Sequence, residues 1–138
     1  GAGVSNRILG NTISGNIQDG INVASTPASI LEGNVVGLNA NRSQRVPNQG
    51  DGIEILSSTN VRIGTNGDGS NDLGEQNVIA GNNGLGVRAA SSSGLVVAGN
   101  LIGTNASGAS GLGNNLGGLL VSSSLARIGT DSSNDAFN

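Results

Sequence analysis

Asn66-Gly-Asp68-Gly-Ser70-Asn71-Asp72 is the stretch of this sequence best equipped for chemistry. It sets carboxylate, amide and hydroxyl oxygens on a flexible glycine backbone, the donor set that a hard cation such as Ca2+ requires. The expected ligands are Asn66, Asp68, Ser70 and Asp72, and a partial copy recurs in Thr130-Asp131-Ser132-Ser133-Asn134-Asp135. The spacing is not that of an EF-hand, because Gly69 comes too early and no Glu closes the loop. Asp, Asn, Gly and Ser are also ordinary turn residues. A solvated loop without metal is therefore the competing reading.

A second set is Asn22, Glu54, Arg88 and Leu120, which should point outward from successive strands and bring Glu54 beside Arg88. An acid beside an Arg makes that pair a candidate for acid–base work. It could equally be an ion pair on a solvated sheet, worth under about 1 kcal/mol. Sugar sites also favour stacking aromatics, and none lies on that face. Arg42 and Arg45 read as solubilising residues of a long loop. Asn41-Arg-Ser43 and Asn105-Ala-Ser107 are sequons that matter only in a glycosylating host. Thr65 and Thr130 recur at one corner, but no flat Thr-x-Thr array exists for ordering ice.

Much chemistry is excluded outright. The chain has no His, no Cys and no Lys, which removes His-dependent triads, thiolate and His zinc sites, Schiff bases and the Walker lysine. The Gly-x-x-Gly strings lack a following helix and are not phosphate loops. A net charge of −3, with Arg as the only basic residue, gives no case for nucleic acid or an anionic membrane. No apolar run reaches the roughly 20 residues a membrane span needs.

The elements that must position these residues follow from a repeat. Asn11-Thr-Ile-Ser-Gly-Asn16 returns as Asn77-Val-Ile-Ala-Gly-Asn82, and 77 − 11 = 66. Gly33-Asn34-Val35-Val36-Gly37 returns at the same offset as Gly99-Asn100-Leu101-Ile102-Gly103. Three short aliphatic pieces recur within this period. One holds Ile21 and Val23, Ile53 and Ile55, Val87 and Ala89, then Leu119 and Val121, led by glycines at 20, 52, 86 and 118. Its alternation has the period of two expected of a strand. The second piece is Arg7-Ile8-Leu9, Ser29-Ile30-Leu31, Val61-Arg62-Ile63, Leu95-Val96-Val97 and Ala126-Arg127-Ile128. The third is Thr12-Ile13, Val35-Val36, Val78-Ile79 and Leu101-Ile102.

Three strands per turn without helices describe an all-β coil with three faces, its turns stacked in parallel about 4.8 Å apart. About four coils are expected, paired into a 66-residue unit. The composition agrees: with no Trp, Tyr or Met and one Phe, aliphatic residues must form a narrow core. Insertions alternate in position, at 38–51 and 104–117 between the third and first strands, and at 64–76 between the second and third. Asn16, Asn39, Asn82 and Asn105 follow the third strand and are expected to stack as a hydrogen-bonded ladder. Asn11, Asn34, Thr65, Asn100 and Thr130 are expected to do likewise at the next corner.

"NTISGN…DGINV", "NVIAGN…GLGV" and "VVAGNLIGTNASG…LGNN" resemble the right-handed, single-stranded parallel β-helix repeats (pectate-lyase-like β-solenoids) of bacterial extracellular and cell-surface polypeptides. The resemblance covers nearly the whole chain, and it implies a secreted or surface location. The fold hosts lyases, epimerases, adhesins and tailspikes, so it licenses no single activity. Residues 1–138 are expected to form one β-helix segment of a longer solenoid. Asp135-Ala-Phe-Asn138 matches Gly74-Glu-Gln-Asn77, where a further strand would begin. Three functions are open: a non-catalytic structural or adhesin-like module, a polysaccharide lyase or epimerase fragment, and an engineered minimal solenoid. The expected partners are a surface polysaccharide or protein, with end-to-end self-association through uncovered strand edges. No cofactor other than Ca2+ is implied.

Overall fold

The computed structural model describes residues 5–109 and 111–129. The loop copy at 130–135, Thr130 of the second expected ladder and the terminal motif 135–138 lie outside the described residues.

The strands come in groups of three. β1 (Arg7–Leu9), β2 (Thr12–Ile13) and β3 (Ile21–Ala24) are followed by β4 (Ile30–Glu32), β5 (Val35–Val36) and β6 (Ile53–Leu56). β7 (Arg62–Gly64), β8 (Val78–Ile79) and β9 (Leu85–Ser93) come next, with one helical turn, α1 (Asp72–Glu75), between β7 and β8. β10 (Val96–Ala98), β11 (Leu101–Ile102), β12 (Gly117–Ser124) and β13 (Arg127–Ile128) complete the described chain. Every third strand pairs in parallel with its predecessor. The result is a first sheet β1-β4-β7-β10-β13, a second sheet β2-β5-β8-β11 and a third sheet β3-β6-β9-β12.

This is an all-β parallel solenoid. From β3 to β12 the chain makes about three complete turns, slightly fewer than the four or so coils expected from the sequence. Ile21, Ile53, Val87 and Leu119 are Cα partners in successive strands, as are Val23, Ile55, Ala89 and Val121. They form the aliphatic columns of the interior, which Leu31, Ile63 and Val97 join from the first sheet.

The second sheet differs from the other two in being covered on both faces. Outside it, Val35, Leu38, Val78 and Ala80 form a separate buried cluster, with Leu101 and Leu112 against it. The segments 38–46 and 104–112 fold back over this sheet. Each is closed by an antiparallel bridge, Leu38 with Arg45 and Thr104 with Gly111. A strand buried on both faces reads as an unbroken apolar run. Val35-Val36, Val78-Ile79 and Leu101-Ile102 are such runs, whereas Thr12 of β2 lies exposed below the first of these covers.

Candidate functional site

The chain turns three corners per coil, and at each a polar side chain is repeated from coil to coil. Between the first and second sheets, the Nδ2 of Asn11 donates to Asn34 Oδ1 at 3.2 Å, Asn34 to Asn77 at 3.0 Å, and Asn77 to Asn100 at 2.8 Å. The backbone N–H of each donor bonds the same oxygen. Each carboxamide also reaches back one coil, with Asn34, Asn77 and Asn100 donating to the carbonyls of Ile8, Leu31 and Ile63. Between the second and third sheets the column is Asn16, Asn48, Asn82 and Asn114, with Nδ2 to Oδ1 distances of 2.8, 2.8 and 2.9 Å. The third corner uses hydroxyls: Ser58 Oγ accepts from Thr26 N–H, and Ser92 Oγ from Ser58 N–H.

Both expected ladders therefore exist, with changed membership. Asn16 and Asn82 stand in one, but Asn39 and Asn105 do not, and Asn48 and Asn114 take those places. Asn39 and Asn105 instead organise the loop tips. Asn39 Oδ1 accepts from the N–H groups of Ser43 and Gln44, and Asn105 Oδ1 from Ala109 N–H and the Ser107 hydroxyl. The reason is where the insertion enters. It precedes the corner residue, so the ladder position lies four residues before each glycine of the 20, 52, 86 and 118 column, and not just after the preceding strand. The same holds for Thr65, which donates its hydroxyl to Asp72 at 2.7 Å while Asn77 stands in the ladder. Asn34, Asn48, Asn77 and Asn82 are 0 % exposed. Their amides are fully paired, as burial demands.

Gly20, Gly52 and Gly86 stand beside the second ladder and are required by close approach. A Cβ on Gly52 would lie 2.6 Å from Gly86 O and 2.8 Å from Asn82 Nδ2. Gly118 is unobstructed, its nearest neighbour being Ile102 Cγ2 at 3.5 Å.

The candidate cation ligands lie on the insertion between β7 and β8, and four of their side-chain oxygens already accept hydrogen bonds within the loop. Asn66 Oδ1 accepts from Asp68 N–H, Asp68 Oδ2 from Asn66 Nδ2, Asp68 Oδ1 from Ser70 N–H, and Asp72 Oδ1 from the Thr65 hydroxyl. Asn66, Asp68 and Ser70 are exposed and Asp72 is half-buried. Among the described residues no group of three or more carboxylate, His or Cys side chains is placed to hold a metal ion. Glu75 at the end of α1 ties the insertion to the first sheet. It pairs with Arg62 at 3.5 Å, and Arg62 pairs with Glu32 at 2.7 Å, which in turn meets Arg7 at 3.4 Å. The strand spacing of Arg7 and Arg62 carries this chain of charges, but Glu75 enters it only through α1, which no periodicity in the sequence signals.

Glu54 and Arg88 meet as expected, Cα partners in register and 3.5 Å apart, and Asn22 Nδ2 donates to Glu54 Oε2 at 2.6 Å. Burial pushes the Glu54 carboxyl above its ordinary value. The neighbouring Asp19 pushes it further and the Arg88 guanidinium pulls it back. Asp19 Oδ1 itself accepts from Asp51 N–H, and Asp51 Oδ1 from Leu85 N–H. Leu120 completes the column, half exposed.

Arg45 is no mere solubiliser. Its Nε and Nη2 donate to Gly81 O at 3.2 and 3.1 Å, and Nη2 also donates to Asn115 Oδ1 at 2.8 Å, two coils away. Asn115 continues an exposed amide row, donating to Asn83 Oδ1, while Asn83 donates to Gln49 Oε1. No pocket opens among the described residues, and none of their helices is long and apolar enough to cross a membrane. No known protein family, curated protein or solved structure matches the chain.

Proposed function

We propose that this chain is a non-catalytic, adhesin-like structural module of a larger secreted or cell-surface protein. On this reading the coil is the right-handed, pectate-lyase-like β-helix of bacterial extracellular polypeptides, as the repeat motifs suggest. One observation carries the proposal: the polar side chains are spent on joining one coil to the next. Two buried amide columns and one hydroxyl column link successive turns, and the two longest corner segments lie back on the second sheet. Such a body suits a stiff spacer that offers its flanks to a partner. The row of Gln49 and Asn115, both exposed, with half-buried Asn83 between them, repeats at the coil spacing of about 4.8 Å, and it presents amides to the hydroxyls of a surface polysaccharide. A glycan array combined with a lyase assay on acidic polysaccharides tests this reading. Retention of a glycan without turnover is the expected result, and turnover overturns it.

Glu54 favours a second reading, a carbohydrate-active enzyme of lyase or epimerase type. A carboxyl held above its ordinary range beside an Asp and an Arg is a candidate acid–base group. Under that reading Glu54→Gln abolishes turnover and leaves the fold unchanged. Ca2+ at Asn66, Asp68, Ser70 and Asp72 would have to displace the loop's own hydrogen bonds. Isothermal titration without heat, and without a shift in melting, removes it.

A further inference from the structure

The chain contains two Asn-Gly pairs, Asn66-Gly67 and Asn83-Gly84. In such a pair the glycine nitrogen can attack the Asn side-chain carbonyl, because no Cβ shields it. The fold treats the two pairs in opposite ways.

At the second pair the groups that would react are engaged in joining coils. Gly84 N–H donates to Gly50 O at 2.8 Å, and Asn83 N–H to Asn48 O at 3.0 Å. The Asn83 carboxamide donates to Gln49 Oε1 at 2.7 Å and accepts from Asn115 Nδ2 at 3.2 Å. Gly84 is buried, and a Cβ added to it would lie 2.3 Å from Asp51 Oδ1. Packing this close leaves its backbone no room to turn toward the side chain.

At the first pair the partners suit the reaction. Gly67 N–H donates to Thr65 Oγ1 at 2.9 Å, and the Thr65 hydroxyl donates to Asp72 Oδ1 at 2.7 Å. That is a path by which the attacking nitrogen can lose its proton to a carboxylate. Asp68 N–H donates to Asn66 Oδ1 at 3.0 Å, the oxygen that becomes negative when its carbon is attacked. Asn66 Nδ2 donates to Asp68 Oδ2 at 3.0 Å, which fixes the orientation of the amide. Thr65 is buried, so the proton path is kept from bulk water. Asn66 is exposed, so ammonia can leave and water can enter.

We propose that Asn66-Gly67 is a self-modifying site, at which Asn66 becomes aspartate and isoaspartate through a succinimide. The Gly67 nitrogen bonds to Asn66 Cγ while its proton passes to Thr65 Oγ1 and the Thr65 proton to Asp72. The carbonyl π pair moves to Oδ1 and returns as the Cγ–Nδ2 bond breaks. The proton taken up by Asp72 reaches Nδ2 through solvent, and ammonia leaves. Water then adds to either carbonyl of the ring and opens it. Thr65 touches the reacting nitrogen; Asp72 acts through Thr65. The product sets a new carboxylate beside Asp68 on the 64–76 insertion, and its isoaspartate form lengthens the backbone there by one methylene. None of this depends on the adhesin reading.

The full chain is incubated at neutral pH, folded or in concentrated urea, and peptide mapping that separates aspartate from isoaspartate reads both pairs. Asn66 should convert at least about tenfold faster in the folded protein, because the base and the oxyanion donor are assembled only there. Asn83 should convert at least about tenfold more slowly folded than unfolded, since its reaction waits on local opening. Thr65→Val and Asp72→Asn should each lower the folded rate at Asn66 to that of the unfolded chain, and Thr65→Ser should retain it. A folded rate at Asn66 no faster than the unfolded one overturns the proposal, and this comparison needs no variant. A rate that Thr65→Val and Asp72→Asn leave unchanged overturns it as well, as does Thr65→Ser behaving like Thr65→Val.

Discussion

The segments 38–46 and 104–112 are one device built twice, and they are anchored differently. In both, the return strand donates back across the base, Val46 N–H to Gly37 O and Leu112 N–H to Gly103 O. In both, an Asn carboxamide holds the tip. Yet Leu38 is wholly buried under the first segment, while its counterpart Thr104 is half-buried and turns its hydroxyl to Asn105 O. Arg45 of the first segment reaches two coils along the axis, and its counterpart is Gly111. The first segment lies beneath further described coils and uses them; the second lies at the last described coil. The repeat conserves the backbone frame, and the neighbouring coils decide which side chains fasten it.

The largest effect should come from the residue both segments share. Asn82 lies between Asn48 and Asn114, the return ends of the two, and it is buried. Replacing it with Ala orphans several buried groups and should cost about 4 kcal/mol by denaturant unfolding. Asn39→Ala or Asn105→Ala, half-buried at the two tips, should cost about 1 kcal/mol each. Equal losses at tip and ladder would break the distinction between frame and fastening. Next, Leu38→Ala should cost about 3 kcal/mol through the cavity it leaves, against less than about 0.5 kcal/mol for Thr104→Ala. Arg45→Ala should follow at about 1 kcal/mol, because its bonds are charge-assisted but largely open to water. Hydrogen exchange should then quicken at the segment 38–46 and not at 104–112.

The smallest effect concerns Glu54, which lies outside both segments and serves as a control. Its carboxyl is raised in the folded state, so the proton is held more tightly there than in the unfolded chain. Its contribution is fully present at acidic pH and is lost as pH rises through the raised value. Glu54→Gln should therefore gain on the wild type in melting temperature from acidic to neutral pH. A difference independent of pH would refute the raised carboxyl.

Much of the frame was legible in the sequence. The steps between glycines 20, 52, 86 and 118 place Ile21, Ile53, Val87 and Leu119 in one column, and the doubled apolar pairs of β5, β8 and β11 carry the sign of a sheet covered on both faces. The ladders were half legible. Asn is identifiable as a stacking residue, but whether an inserted segment enters before or after a corner depends on how its return strand pairs. Spacing from the preceding strand misassigns Asn39 and Asn105; spacing to the following one selects Asn48, Asn77 and Asn114. The reach of Arg45 and the Arg7–Glu32–Arg62–Glu75 chain were not legible, because each joins residues through backbone geometry that no periodicity encodes.

Each interior carboxamide grips a carbonyl on one side and an oxygen on the other, so neighbouring turns cannot separate without breaking both columns together with three strand pairs. A pull along the axis therefore loads the levels in series, each sharing the force among both columns and three strand pairs, and finds no soft plane in the middle. Yielding should proceed one level at a time, with steps of nearly equal force, for a body that lengthens like an unwinding spring.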